Sequence, residues 1–164
     1  MCSGFSVPPI ELPVARLVAL EPEACAGLAA SIASIPPWSD IGYPAEALAR
    51  SLGSADGAAR YRIEAAGVTA GAVSVRHPWL KGPYLELLAI LPPHQGQGIG
   101  AFVLDWFERE AVRHGARNLW VCASSFNGRA LDFYQRHGFR AAATLPGLVA
   151  NGYDEILMRK FPLG

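Results

Sequence analysis

The sequence predicts a single-domain α/β (α+β) fold, a mixed central sheet of about seven strands flanked by about four helices. Three observations predict it. Apolar spacing switches along the chain between the two-residue period of strands and the 3.6-residue period of helices. Thirteen prolines and 17 glycines punctuate the periodic runs and mark turns rather than disorder. The segments follow the order β, α, α, β, β, β, α, β, α, β, β, which gives an antiparallel meander, one β-α-β crossover and an antiparallel tail. A length of 164 residues suits one domain, 1–164, and no repeat or interior linker divides it.

Taken in order, Pro13 to Leu20 is partly β-branched and reads as a strand. Pro22 suits a helix start, and Leu28, Ile32 and Ile35 follow at helical spacing until Pro36-Pro37 ends the helix. Trp38 to Tyr43 is a loop, Ala45 to Leu52 a short helix and Gly53 to Gly57 a turn. Arg60 to Ala65 and Ala70 to Arg76 form a hairpin about Gly67. After a connection over Pro78 to Gly82, Tyr84 to Leu91 is nearly all apolar, as a central strand buried on both faces would be. Gly98 to His114 carries Ile99, Phe102, Val103 and Trp106 on one stripe and stops at Gly115. Asn118 to Ala123 is a strand and Asn127 to His137 a helix closed by Gly138. Phe139 to Leu145 and Tyr153 to Phe161 are the last strands.

Composition excludes several functions. Lys plus Arg equal Asp plus Glu at 14 each, which argues against nucleic acid or an anionic membrane as partner. Cys2, Cys25 and Cys122 are odd in number and far apart, and the four histidines form no HExxH, so neither a disulfide framework nor a metal site is expected. Met1 to Ile10 lacks the basic and apolar regions of a secretory signal, and no apolar run approaches the ~18 residues of a membrane span. A cytoplasmic location is the expectation.

The sharpest motif is Gln95-Gly96-Gln97-Gly98-Ile99-Gly100, between an apolar strand and a long amphipathic helix. Glycines let backbone turn tightly and approach a ligand. The first N–H groups of a helix lack internal partners and, with the helix dipole, attract anions. The loop therefore suits a pyrophosphate. It is not a P-loop, because Gly-Lys-Ser/Thr is absent. It departs from the dinucleotide fingerprint because Val103 stands at the third glycine and no acidic residue ends the next strand at Cys122–Ala123.

The string Gln-x-x-Gly-x-Gly after this strand resembles motif A of the GNAT superfamily, the acyl-CoA-dependent N-acyltransferases. Leu87 to Pro92 is similar to the splayed strand that precedes that motif, and Asn127 to Tyr134 closed by Gly138-Phe139 to the second signature. The resemblance is close from Tyr84 to Phe139 and holds only in outline beyond. It implies that acetyl-CoA is the co-substrate. Its binding set would be Leu88, Ala89 and Ile90, the loop Gln95, Gly96, Gln97, Gly98, Ile99, Gly100 and Ala101, and Asn127. One strand N–H would polarise the thioester carbonyl. Taken singly, Asn127 reads as a helix N-cap and Tyr134 as a core aromatic. Seven residues apart on a helix they share a face, roughly 10 Å apart along it, and together they read as a cofactor site.

The implied reaction is direct acetyl transfer to a primary amine, with Tyr134 as general acid toward the leaving thiolate. Glu86 is the candidate base; its alternative is a buried carboxylate paired with an arginine. Relatives with a glutamate at the position of Cys122 make the base uncertain, and a covalent route through Cys122 is disfavoured because no histidine adjoins it. The resemblance places the acceptor between Pro36–Tyr43 and Leu145–Tyr153, with Trp38, Tyr43 and Tyr153 as walls and Asp40 as a cation attractor. Arg129, Arg136 and Arg140 are a solvated helix face or contacts for the 3′-phosphate. A small-molecule amine is the expected acceptor; a protein or peptide amine and a non-catalytic acyl-CoA-binding module are the alternatives. A homodimer is compatible with the resemblance.

Overall fold

The computed structural model describes residues 4–163. Among these, eight strands form one sheet in the order β1-β2-β3-β4-β5-β6-β8-β7. The elements are β1 (Ile10–Glu11), β2 (Arg16–Ala19), α1 (Pro22–Ala33), α2 (Ala45–Leu52), β3 (Ala59–Ala65), β4 (Val68–Trp79), β5 (Gly82–Ile90), α3 (Ile99–Arg113), β6 (Leu119–Ser124), α4 (Gly128–Arg136), β7 (Arg140–Pro146) and β8 (Asp154–Lys160). A short 3-10 turn, Pro92–His94, leads from β5 to the glycine loop.

All seven predicted strands and four helices are present. The eighth strand, β1, is two residues long and pairs Ile10 with Leu17; two residues carry no period to detect. The β4–β5 hairpin also reaches further than predicted, to the pair Trp79–Gly82, so Pro78 lies in strand rather than loop. It sits where the register breaks between Arg76 and Trp79, a position that tolerates a residue without an N–H.

The sheet carries a separate core on each face. Helices α3 and α4 pack with Leu85, Val121 and Met158 on one side; α1 and α2 pack with Ala72 and Ala89 on the other. On α3 the buried stripe is Ile99, Val103, Trp106 and Phe107, while Phe102 is only half-buried. This is the i, i+4, i+7, i+8 spacing of an amphipathic helix facing a core.

The expectation that Tyr84 to Leu91 is buried on both faces does not hold. Leu87, Leu88 and Ile90 are half-buried. The reason is β5's pairing. Val75 of β4 faces Leu85 and Ser74 faces Leu87, so Glu86 is an extra residue in β5. Such a bulge bends its strand and increases the local twist. On the other edge, β5 and β6 pair in parallel only at Tyr84–Trp120 and Leu85–Val121, although β5 continues to Ile90 and β6 to Ser124. The two central strands part at the bulge, and the gap between them becomes the site. β8 inserts between β6 and β7, pairing Cys122 with Leu157 and Ser124 with Glu155, and leaves β7 as an edge strand exposed from residue 140 to 144.

Candidate active site

A cleft of about 920 Å³ opens where β5 and β6 part. The glycine loop and the first turn of α3 form one end. There Gly98 has φ 83, the left-handed region that a side chain rarely adopts. The first intrahelical bond runs from the Phe102 N–H to the Gly98 carbonyl at 3.1 Å. The N–H groups of Ile99, Gly100 and Ala101 therefore have no helical acceptor, and no side chain caps this end. With the dipole of a 15-residue helix behind them, they form an anion cradle. The two glutamines brace the loop. The Gln95 amide donates to the Ile90 carbonyl at 2.8 Å and the Gln97 amide to the Pro93 carbonyl at 3.1 Å. Gln95, Gly96, Gly98, Ile99, Gly100 and Ala101 line the cleft; Gln97 does not.

The wall is the free edge of β5. The Leu91 N–H bonds to the Ala70 carbonyl of β4 at 2.8 Å. Backbone groups alternate along a strand, so those of Leu88 and Ile90 turn to the side that β6 has left. Ala89 lines the cleft as well, but its carbonyl lies over Gly71 of β4. The opposite wall is α4. The Asn127 side chain accepts the Ala130 N–H at 3.2 Å, an N-cap at the cleft edge. Asn127→Ala should cost about 1 kcal/mol of stability, read as a lower denaturation midpoint; an unchanged midpoint would show that the cap contributes nothing.

Tyr134 lies at the floor, 8% exposed, with its ring packed between Phe133 and Phe139. Burial, with the nearby Cys122 thiol, pushes its phenol well above the ordinary range, so it stays protonated throughout the working pH range. Burial also pushes the Cys122 thiol up to about 11, which keeps it from being a thiolate nucleophile. Cys25 is buried against α2, and Cys2 lies outside the described residues. Among the described residues no His, Cys, Asp or Glu cluster could hold a metal, and no helix is long and apolar enough to cross a membrane.

Three carboxylates line the cleft, Asp40 on the exposed loop after α1 and Glu86 and Glu155 on the sheet, and the two on the sheet differ. Glu86 is committed to arginine. Its Oε1 accepts from Arg76 Nη2 at 2.8 Å and Nε at 3.1 Å, its Oε2 accepts from Ser74 Oγ at 2.7 Å, and Arg60 stands 3.6 Å away. The same two arginines hold Asp56 far below the usual carboxylate range by donating hydrogen bonds to it. Glu155, which sequence reasoning missed, is 6% exposed and accepts one hydrogen bond, from Ser124 Oγ at 2.6 Å. Burial raises its pKa and the Ser124 bond only partly opposes this. Cys122, Glu86, Glu155 and Tyr134 all lie close enough to Tyr84 to raise its phenol further beyond the effect of burial.

Trp38, Asp40, Tyr43, Phe126, Leu148 and Val149 also line the cleft. The loop carrying Trp38 is closed by the Tyr43 N–H bonding to the Trp38 carbonyl at 2.9 Å. Tyr153 does not line the cleft; it packs edge-on against Phe126 at the rim, 5.5 Å between ring centres. Arg129 and Arg136 line the cleft, whereas Arg140 lies in a separate hollow with Asp132, Gln135 and Arg136.

Residues 27–139 match the model of the acetyltransferase (GNAT) family. Among solved structures, the chain resembles the ribosomal-protein-S18-alanine N-acetyltransferase of Escherichia coli with a TM-score of 0.70 and 18% identity, covering 92% of this chain and 95% of that one. It resembles an acetyltransferase of Thermus thermophilus with a TM-score of 0.71 and 21% identity over 94% and 100% of the two chains. A spermidine N-acetyltransferase chimera from Vibrio cholerae and hSSAT gives a TM-score of 0.71 and 16% identity over 90% and 95%. At these identities the likeness concerns the fold, and one fold here serves both protein and polyamine acceptors. The family model spans most of the chain, from α1 through the splayed strands and glycine loop to the end of α4, and on that match the chain belongs to the GNAT family of acetyltransferases.

Proposed function

We propose that this acetyltransferase passes the acetyl group of acetyl-CoA directly to the primary amine of a small molecule, with Tyr134 as general acid. The observation that carries the reading is the through-sheet gap at the Glu86 bulge, with an uncapped helix N-terminus at one end and a buried, protonated phenol on its floor. Pyrophosphate suits the N–H groups of residues 99–101. The pantetheine amides suit the outward backbone groups of Leu88 and Ile90, and Asn127 stands at the edge of the same channel. An N–H of β5 aimed at the thioester oxygen would be worth ~3 kcal/mol of transition-state stabilisation. Cys122 takes no covalent part, since its thiol is held protonated.

A small acceptor is favoured by the bulky, proline-bounded Pro36–Tyr43 loop, whose Trp38 and Tyr43 line the cleft. A peptide acceptor would need an open groove there. A module that binds acetyl-CoA without turnover would not require a buried phenol facing the sulfur.

The test begins with thermal unfolding in the presence of acetyl-CoA, with NAD and ATP as controls. Acetyl-CoA at 100 times its dissociation constant should add about 2.7 kcal/mol, or about 5–10 °C for a chain of this size. Release of free thiol is then followed across a panel of small primary amines and peptides. No shift at saturating acetyl-CoA would sink the donor assignment. Turnover on peptides but not on small amines would move the acceptor to the protein class.

A further inference from the structure

We infer that Glu155, on β8, is the group that receives the proton of the attacking amine. The inference rests on the acetyl-transfer reading and adds a residue that neither the motif nor the family match points to.

Pairing across the sheet fixes where Glu155 looks. Ser124 and Glu155 are partners in the β6–β8 ladder, as are Cys122 and Leu157, and Tyr84 is the parallel partner of Trp120. Paired residues share a face of the sheet and successive residues alternate, so Tyr84, Cys122, Ser124 and Glu155 all lie on one face. Arg76, paired with Tyr84, and Ser74 lie on that face too, and Glu86 bonds to both. This is the α1–α2 side, which carries the acceptor end. Tyr134 enters the gap from the other side, with α3 and α4. A thioester threaded between β5 and β6 would then meet the phenol on one side and carboxylates on the other. The arrangement suits direct transfer: in the tetrahedral intermediate the sulfur and the nitrogen occupy different vertices of the carbon, so a proton donor on one side and an acceptor on the other can each reach its own atom.

Asp40 is exposed on its loop; of the two carboxylates on the strands of that side, Glu155 has the free lone pairs. Both oxygens of Glu86 already accept hydrogen bonds, and two arginines neutralise it. None of the ion pairs among the described residues includes Glu155. Its one hydrogen bond comes from Ser124 and engages Oε1. A carboxylate this buried with no cation is costly to keep charged, which makes it the better proton acceptor. The titratable groups it acts on are Tyr84 from β5 and Cys122 from β6. Its partner on β7 is Leu145, which does not titrate.

The step balances. The amine nitrogen attacks the thioester carbon, and the C–S bond breaks as the tetrahedral intermediate collapses. The nitrogen's proton passes to Glu155, and Tyr134 supplies one to the departing thiolate. Free amine and acetyl-CoA become amide and CoA thiol, and a proton moves from Glu155 through solvent to the Tyr134 phenolate.

The test uses the full chain, acetyl-CoA and a turned-over primary amine, with kcat/KM followed against pH. A base must be deprotonated, so the wild-type profile should rise with pH through a limb above the ordinary carboxylate value of about 4.3. That limb should not move between amines of different pKa. Glu155→Gln should bind acetyl-CoA with unchanged affinity, lose about 10²-fold or more in kcat/KM and lose the limb. Ser124→Ala removes a hydrogen bond that favours the charged form, so it should shift the limb to higher pH; an unmoved limb would show that it does not report Glu155. A Glu155→Gln enzyme with the wild-type profile, or one that is slower but keeps the limb, overturns the role of Glu155 and leaves acetyl transfer standing. Wild-type chain that binds no acetyl-CoA overturns the underlying reading, and the base with it.

Discussion

Tyr134→Phe is expected to lower kcat by about 10²-fold or more and to leave acetyl-CoA binding intact. Phenylalanine keeps the ring that packs between Phe133 and Phe139, so the floor of the cleft retains its shape. What is lost is the phenol proton. A phenol is a suitable donor to a thiolate because their ordinary pKa values, ~10 and ~8.5, are close. Burial moves both in the same direction: it raises Tyr134 and raises the basicity of a thiolate expelled into the same site. The match survives desolvation, and the proton is present at every working pH. Measured side by side, the acetyl-CoA-induced thermal shift should match wild type and the rate of thiol release should not. Equal rates would remove Tyr134 from the chemistry and leave it as a core aromatic.

Gly71→Ala is expected to destabilise the fold by at least ~1–3 kcal/mol, the range for forced overpacking, and to weaken acetyl-CoA binding. A Cβ at residue 71 would lie 1.9 Å from the Ala89 carbonyl oxygen and 3.0 Å from its carbon. These are backbone atoms of β5 and cannot rotate away. To admit the methyl, β5 must shift on β4, and β5 is the wall whose free edge faces the cleft. Each kcal/mol should lower the melting temperature by about 2–4 °C. Gly27→Ala is the control. It lies within α1 with nothing inside 4 Å of the added carbon, so it should be neutral or stabilising by up to ~1 kcal/mol. Equal stability of the two variants would contradict the close approach of β4 and β5.

The segments with strong local signals were legible in the sequence. α3 declares itself by Ile99, Val103 and Trp106, and α4 by its Asn127 cap and Gly138 stop. The glycine loop follows from Gly96 and Gly98, whose positive φ values make glycine the favoured residue there. Of the three aromatics read as acceptor walls, Trp38 and Tyr43 line the cleft and Tyr153 does not, because an aromatic on a hairpin faces wherever the hairpin's register turns it. The arginine pairing of Glu86 was foreseen as the alternative to a base, and the structure supplies the partners, Arg76 from β4 and Arg60 from β3.

Glu155 marks the boundary between the two kinds of information. Its sequence context, Asp154-Glu155-Ile156-Leu157, reads as one charged position in a strand. Nothing local says that β8 inserts between β6 and β7, or that this turns Glu155 toward the gap beside Ser124. The gap itself depends on one extra residue in the β4–β5 pairing and on where β6 stops following β5. The sequence by itself determined all elements but the two-residue β1, their order and the glycine turn before α3, because helix periods, caps and glycine turns are set by neighbours a few residues apart. The tertiary structure alone decided the cleft and which carboxylate in it lacks a cation, because strand register and strand insertion are set by contacts between residues tens of positions apart.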